Sequence, residues 1–136
     1  MNRSPGTLLA YACLICALLW AGFIWYLSDQ PSIEVPSLFP QQDKLMHICA
    51  YFVLGFLAMG AMRPSVYGYT ANQLGVVIVL TGLYGLLDEF HQYFVPGRDA
   101  SLADSLADFA GGVLGAGLLF LLVRRFMRRS GNATIH

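Results

Sequence analysis

"LYGLLDEFHQYFVPGRDASLADSLADFAGG", residues Leu83–Gly112, sets Asp88, Glu89, His91, Gln92, Arg98, Asp99, Asp104 and Asp108 between two apolar runs. The length of those runs decides the fold. The uncharged part of the first, Leu74 to Leu87, is roughly 14 residues and rises about 21 Å as a helix. The uncharged part of the second, Phe109 to Val123, is roughly 15 residues, or about 22 Å. A bilayer hydrocarbon core is about 30 Å thick. Both helices must therefore borrow polar residues to cross: Asp88, Glu89, His91 and Gln92 on one, Asp104 and Asp108 on the other. The stretch reads as two helix ends joined by a turn, with ionisable groups inside the outer third of the membrane. Unpaired, each would cost a few kcal/mol there, so they are expected to face the bundle interior or a water-filled cavity.

Composition agrees. The chain has 136 residues, 57% of them hydrophobic and 12% charged. A soluble domain carries about 25% charged residues, and a chain this size could not cover its core with so few. The formal net charge is zero and no basic patch with interleaved aromatics appears, which sets nucleic acid aside. Cys13, Cys16 and Cys49 lie in apolar runs and are expected to be small buried apolar residues rather than a redox or disulfide framework.

The expected architecture is all-α: a polytopic membrane protein of one domain with four transmembrane helices at about 7–27, 44–62, 70–94 and 101–123, followed by a basic tail at 124–136. The first run, Thr7 to Leu27, has no charge and ends with Trp20, Trp25 and Tyr26 where an aromatic belt would sit. "SDQPSIEVPSLFPQQ", Ser28–Gln42, is a proline-rich loop. Thr70 with Gln73 fits a capping box opening the third helix, and "SLAD", Ser101–Asp104, fits one opening the fourth. Pro96-Gly97 fits the centre of a type II turn. Arg3, Arg63, Arg124, Arg125, Arg128 and Arg129 fall on one side of the membrane, so the positive-inside rule puts both termini in the cytoplasm and the polar ends of the helices outside.

Helical spacing then says what converges. On the third helix Gly82, Gly85 and Glu89 share a face, with Asp88 at its flank and His91 turned away towards the surface. On the fourth, Asp104, Asp108, Gly111 and Gly115 form one strip, the glycines making a GxxxG. On the second, Asp43, His47 and Tyr51 follow at steps of four. The acids Asp43, Asp88, Glu89, Asp99, Asp104 and Asp108 outnumber the bases Lys44 and Arg98, so full ionisation would leave a charge of about −4, which calls for protons, charged histidines or a bound cation.

The blocks "DKLMHICAYFVLG" (Asp43–Gly55) and "LYGLLDEFHQYFVPGRDASLADSLADFAGGVLG" (Leu83–Gly115) resemble the VanZ-like family of small bacterial membrane proteins. The resemblance spans roughly Asp43 to Val123 and carries the family pattern onto Asp43, Lys44, His47, Tyr51, Asp88, Glu89, Gln92, Arg98, Ser101 and Asp104. Asp108 stands where the family usually has Asn. The resemblance implies a multi-pass protein of the bacterial cytoplasmic membrane linked to glycopeptide-antibiotic resistance, and implies no particular reaction.

Two functional readings follow. In one, the cluster binds a membrane lipid, a lipid-linked cell-wall precursor or an amphiphilic glycopeptide antibiotic, with Arg98, Lys44, Gln92, Tyr51, Ser101, Asp104 and Asp108 in contact with it. In the other, Glu89, Asp88 and His47 do acid–base work on such a substrate at the outer leaflet. No cofactor is required; a divalent metal would have Asp43, His47, Asp88 and Glu89 as candidate ligands. A purely structural network is the remaining alternative, and a transporter is disfavoured by the absence of an inverted repeat. The sequence does not assign an oligomeric state.

Overall fold

In the computed structural model, which describes residues 5–31, 39–65 and 67–133, four helices run in alternating directions: α1 (Pro5–Ser28), α2 (Gln42–Ala61), α3 (Ala71–Gln92) and α4 (Leu102–Ala133). All four are long and apolar enough to cross a membrane, and no named strand occurs among the described residues. This is an all-helical multi-pass membrane protein. Arg3 and the loop centre at 32–38 lie outside the described residues.

Local chemistry sets the helix ends. Pro5 opens α1, where a missing N–H costs nothing. Thr70 caps α3 as expected. The Gln73 N–H donates to Thr70 Oγ1 at 3.3 Å, and the Thr70 N–H donates to Gln73 Oε1 at 2.9 Å. The turn after α3 has Gly97 at φ 79° and the Arg98 N–H donating to the Val95 carbonyl, which is the type II geometry. The last helix does not stop at Val123. "RRFMRRS" contains no breaker and arginine is a good helix former, so the basic segment continues the helix to Ala133.

Packing is organised by glycine. α2 and α4 make the most extensive contact; α1 lies on α2, α3 lies on α4, and α1 barely touches α3. Gly111 and Gly115 press onto the α2 backbone at Ile48 and Phe52, and Gly55 onto the backbone of Gly112. Without a hydrophobic effect between helices in lipid, such close backbone approach supplies the dispersion that holds them together. One apolar cluster, Met59, Tyr69, Val77, Ala116 and Phe120, fills the end of the bundle opposite the polar stretch. A second, Ile24, Tyr51 and Leu54, lies beneath the polar end.

The large apolar side chains elsewhere point outward, as a lipid solvent permits; Leu9, Leu19, Val79, Phe90 and Leu121 are all exposed. The cysteines follow this rule. Cys16 and Cys49 are exposed rather than buried, and only Cys13 packs inward, against Gly60. Trp20 turns inward: its indole N–H donates to the Ala50 carbonyl at 2.8 Å, tying α1 to α2. The Tyr84 hydroxyl donates to the Ala21 carbonyl at 2.6 Å, tying α3 to α1.

Candidate functional site

Asp88, Glu89, Gln92, Asp104 and Asp108 are all buried at one end of the bundle, where α2, α3 and α4 meet. Asp108 is wholly enclosed and sits against Gly85, whose missing side chain leaves it room. His47 comes from α2 into the same space, with Nδ1 in a 2.9 Å hydrogen bond to Asp108 Oδ1 and 3.9 Å from Glu89 Oε1. The first distance is a well-formed hydrogen bond; the second is too long for one.

Glu89 also holds the next helix. Its Oε2 accepts from the Ser101 N–H at 3.0 Å, while Ser101 Oγ accepts from the N–H groups of Ala103 and Asp104 at 3.1 and 3.3 Å. Half of the expected capping box at Ser101 therefore forms. The other half does not, because the Asp104 carboxylate turns to Lys44 Nζ at 3.0 Å and Glu89 takes the Ser101 N–H. Lys44 bonds Asp43 at the same distance.

Asp43 is not part of the cluster: its side chain is 61% exposed and touches it only through Lys44. Asp99 is exposed in the turn. Asp88 lies on the side of the cluster facing α1, where Gln92 Nε2 reaches its Oδ2 at 3.4 Å and Ser28 from α1 faces it. The candidate metal ligands of the sequence thus separate. The ligand atoms that come within 4.8 Å of one another belong to His47, Glu89 and Asp104.

Arg98 does not meet the acids. Its Nη2 donates to the Leu27 carbonyl at 2.6 Å and its Nε to the Gln30 carbonyl at 3.0 Å. These carbonyls close the C-terminus of α1, whose last turn has no basic residue of its own. A guanidinium there satisfies orphan carbonyls and complements the helix dipole. Arg98→Met is expected to destabilise the α1 end by about 1–2 kcal/mol, read as faster amide hydrogen exchange confined to the last turn of α1. His91 makes a second tie at that end. Its ring stacks on Trp25 at 4.2 Å between centroids and its Nε2 bonds Asp29 Oδ1 at 3.1 Å.

A cavity of about 160 Å³ opens between α1, α2 and α3. Ile24, Leu27, Met46 and Ala50 form its apolar wall; His47, Tyr51, Asp88, Gln92 and Arg98 supply the polar one. Tyr51 is 1% exposed, yet its hydroxyl has no hydrogen-bond partner in the protein, and neither do Asp88 Oδ1, Glu89 Oε1 and Asp108 Oδ2. A buried polar atom without a partner costs about 1–3 kcal/mol, so these atoms mark where a proton, water or ligand belongs. Sequence spacing anticipated that His47, Tyr51, Glu89, Asp104 and Asp108 turn inward at one level of the bundle. It missed Ser28, Trp20 and Tyr84, whose partners are backbone carbonyls or side chains on helices distant in the chain.

The model of the family described as VanZ/LLP1 matches residues 10–124. No curated protein and no solved structure matches the chain.

Proposed function

The chain belongs to the VanZ/LLP1 family, and from that footing we propose that it holds the polar headgroup of a cell-envelope amphiphile in the cavity between α1, α2 and α3. The carrying observation is the cavity itself, apolar on one wall and polar on the other, with the Tyr51 hydroxyl and Asp88 Oδ1 unpartnered. Its 160 Å³ is below the roughly 300 Å³ of a site for a drug-sized ligand. That volume suits one headgroup, while the apolar chains of the same molecule stay in the surrounding lipid. A whole glycopeptide antibiotic is too large and would enter by one substituent only.

The acceptors favour a donor-bearing group such as an amine, so an amine-bearing membrane lipid or lipid-linked cell-wall precursor fits best. Arg63, Arg124, Arg125, Arg128 and Arg129 lie at the opposite end of the bundle. The positive-inside rule then has the cavity at the outer face of the bacterial cytoplasmic membrane, with both termini inside.

Native mass spectrometry of the purified protein with phosphatidylethanolamine and phosphatidylglycerol tests this. The amine-bearing lipid is expected to bind in preference, and Asp88→Asn to weaken it about tenfold, or 1.4 kcal/mol. Equal binding of the two lipids, or no change in the variant, would sink the proposal.

One observation favours a second reading. An imidazole oriented by buried Asp108 beside unpartnered Glu89 Oε1 is the arrangement of an acid–base unit. On that reading the chain is a membrane-embedded hydrolase or transferase for a lipid or envelope substrate, and turnover rather than binding is the measurement.

A further inference from the structure

Four buried carboxylates, Asp88, Glu89, Asp104 and Asp108, share one end of the bundle. The bases that reach them are Lys44, bonded to Asp104, and His47, bonded to Asp108. Arg98 is committed to carbonyl oxygens and His91 to Asp29. With all four ionised, negative charge in this low-dielectric setting would exceed positive even with the imidazole charged.

Within that excess one subset has ligand geometry. We propose that His47, Glu89 and Asp104 form a binding site for a divalent transition-metal ion, Zn²⁺ or Mn²⁺. One donor atom from each lies within 4.8 Å of the other two. Tetrahedral ligands at bonds of about 2.0–2.1 Å stand about 3.4 Å apart, so the 3.9 Å between His47 Nδ1 and Glu89 Oε1 closes by a small side-chain rotation. Glu89 is the independent pointer to a ligand. Its side chain is 7% exposed, its Oε2 is spent on Ser101, and its Oε1 is aimed at His47 with no hydrogen-bond partner.

The neighbours can yield. Lys44 has a second partner in exposed Asp43 and is itself 32% exposed, so it can release Asp104 without losing its ion pair. Asp108 Oδ1, 2.9 Å from the same imidazole nitrogen, becomes available as a fourth donor when that nitrogen takes the metal. A nitrogen with carboxylate oxygens selects Zn²⁺ or Mn²⁺ over Mg²⁺ and Ca²⁺, which prefer all-oxygen sites.

The test uses the full chain in detergent without a histidine tag, with metal alone and no lipid ligand, so it is independent of the headgroup proposal. Calorimetric titration with Zn²⁺, and electron paramagnetic resonance with Mn²⁺, are expected to show one site. His47→Gln, Glu89→Gln and Asp104→Asn should each weaken it more than about tenfold, while Asp99→Asn, at an exposed position outside the cluster, leaves it unchanged. A readout that needs no variant is the visible spectrum with Co²⁺, whose intense absorption reports tetrahedral nitrogen and oxygen ligands. No binding above the protein-free blank overturns the site. So does binding that survives both His47→Gln and Glu89→Gln, or a Co²⁺ spectrum of the hexa-aquo ion.

Discussion

Gly115→Leu is expected to abolish the close packing of α2 against α4 and destabilise the bundle by about 3 kcal/mol or more. A Cβ at this position already collides with the backbone of Phe52 and approaches the N–H of Phe56, and backbone cannot rotate away as a side chain can. The largest helix pair would have to separate, and with it the frame that carries His47 to Asp108. The measurement is thermal unfolding in detergent, with folded yield as a second reading. Gly117→Ala is the control: a Cβ there meets nothing within 4 Å, so this change should be neutral or slightly stabilising. Equal effects at 115 and 117 would show that glycine packing does not hold α2 to α4.

Glu89 carries the second large effect, and two substitutions divide its roles. Glu89→Ala removes the acceptor of the Ser101 N–H at the start of α4 and opens a void among buried acids. It should cost about 1–3 kcal/mol and eliminate function together with stability. Glu89→Gln keeps an oxygen for Ser101 and nearly the same volume, but removes the charge. Its stability should stay within about 1 kcal/mol of the parent, while, on the proposed acid–base reading, turnover falls at least about tenfold. Turnover measurements on a lipid substrate, paired with melting curves, read both. If Glu89→Gln keeps full activity and Glu89→Ala loses it, the carboxylate serves only to brace α4, and both the acid–base and the metal readings fail.

Much of this site was legible because two helical periodicities and one length are enough to find it. The short uncharged runs beside Leu83–Gly112 forced Asp88, Glu89, Asp104 and Asp108 into the spans, and all four are buried. Steps of three and four placed Asp108 on the same strip as Gly111 and Gly115, which do press onto α2. Spacing within one helix says nothing, however, about which neighbour a side chain meets. Asp43 shares the face of His47 by period, yet it sits a turn nearer the helix end and lies exposed, while its neighbour Lys44 reaches in to Asp104. Arg98, which sequence placed among the ligand-contacting groups, does line the cavity, but its Nε and Nη2 are bonded to carbonyls at the end of α1, a partner that spacing could not name.

The sequence by itself determined the four-helix membrane architecture, the burial of the acids and the glycine seam, because these depend on hydrophobic length and on 3.6-residue periodicity within single segments. Only the tertiary structure decided the partners. The His47–Asp108 bond, the Glu89 brace on Ser101, the convergence of His47 with Glu89 and Asp104, and the cavity lined by Tyr51 and Asp88 each join helices far apart in the chain. Their existence depends on helix rotation and crossing, which side-chain packing between helices sets and no single segment encodes.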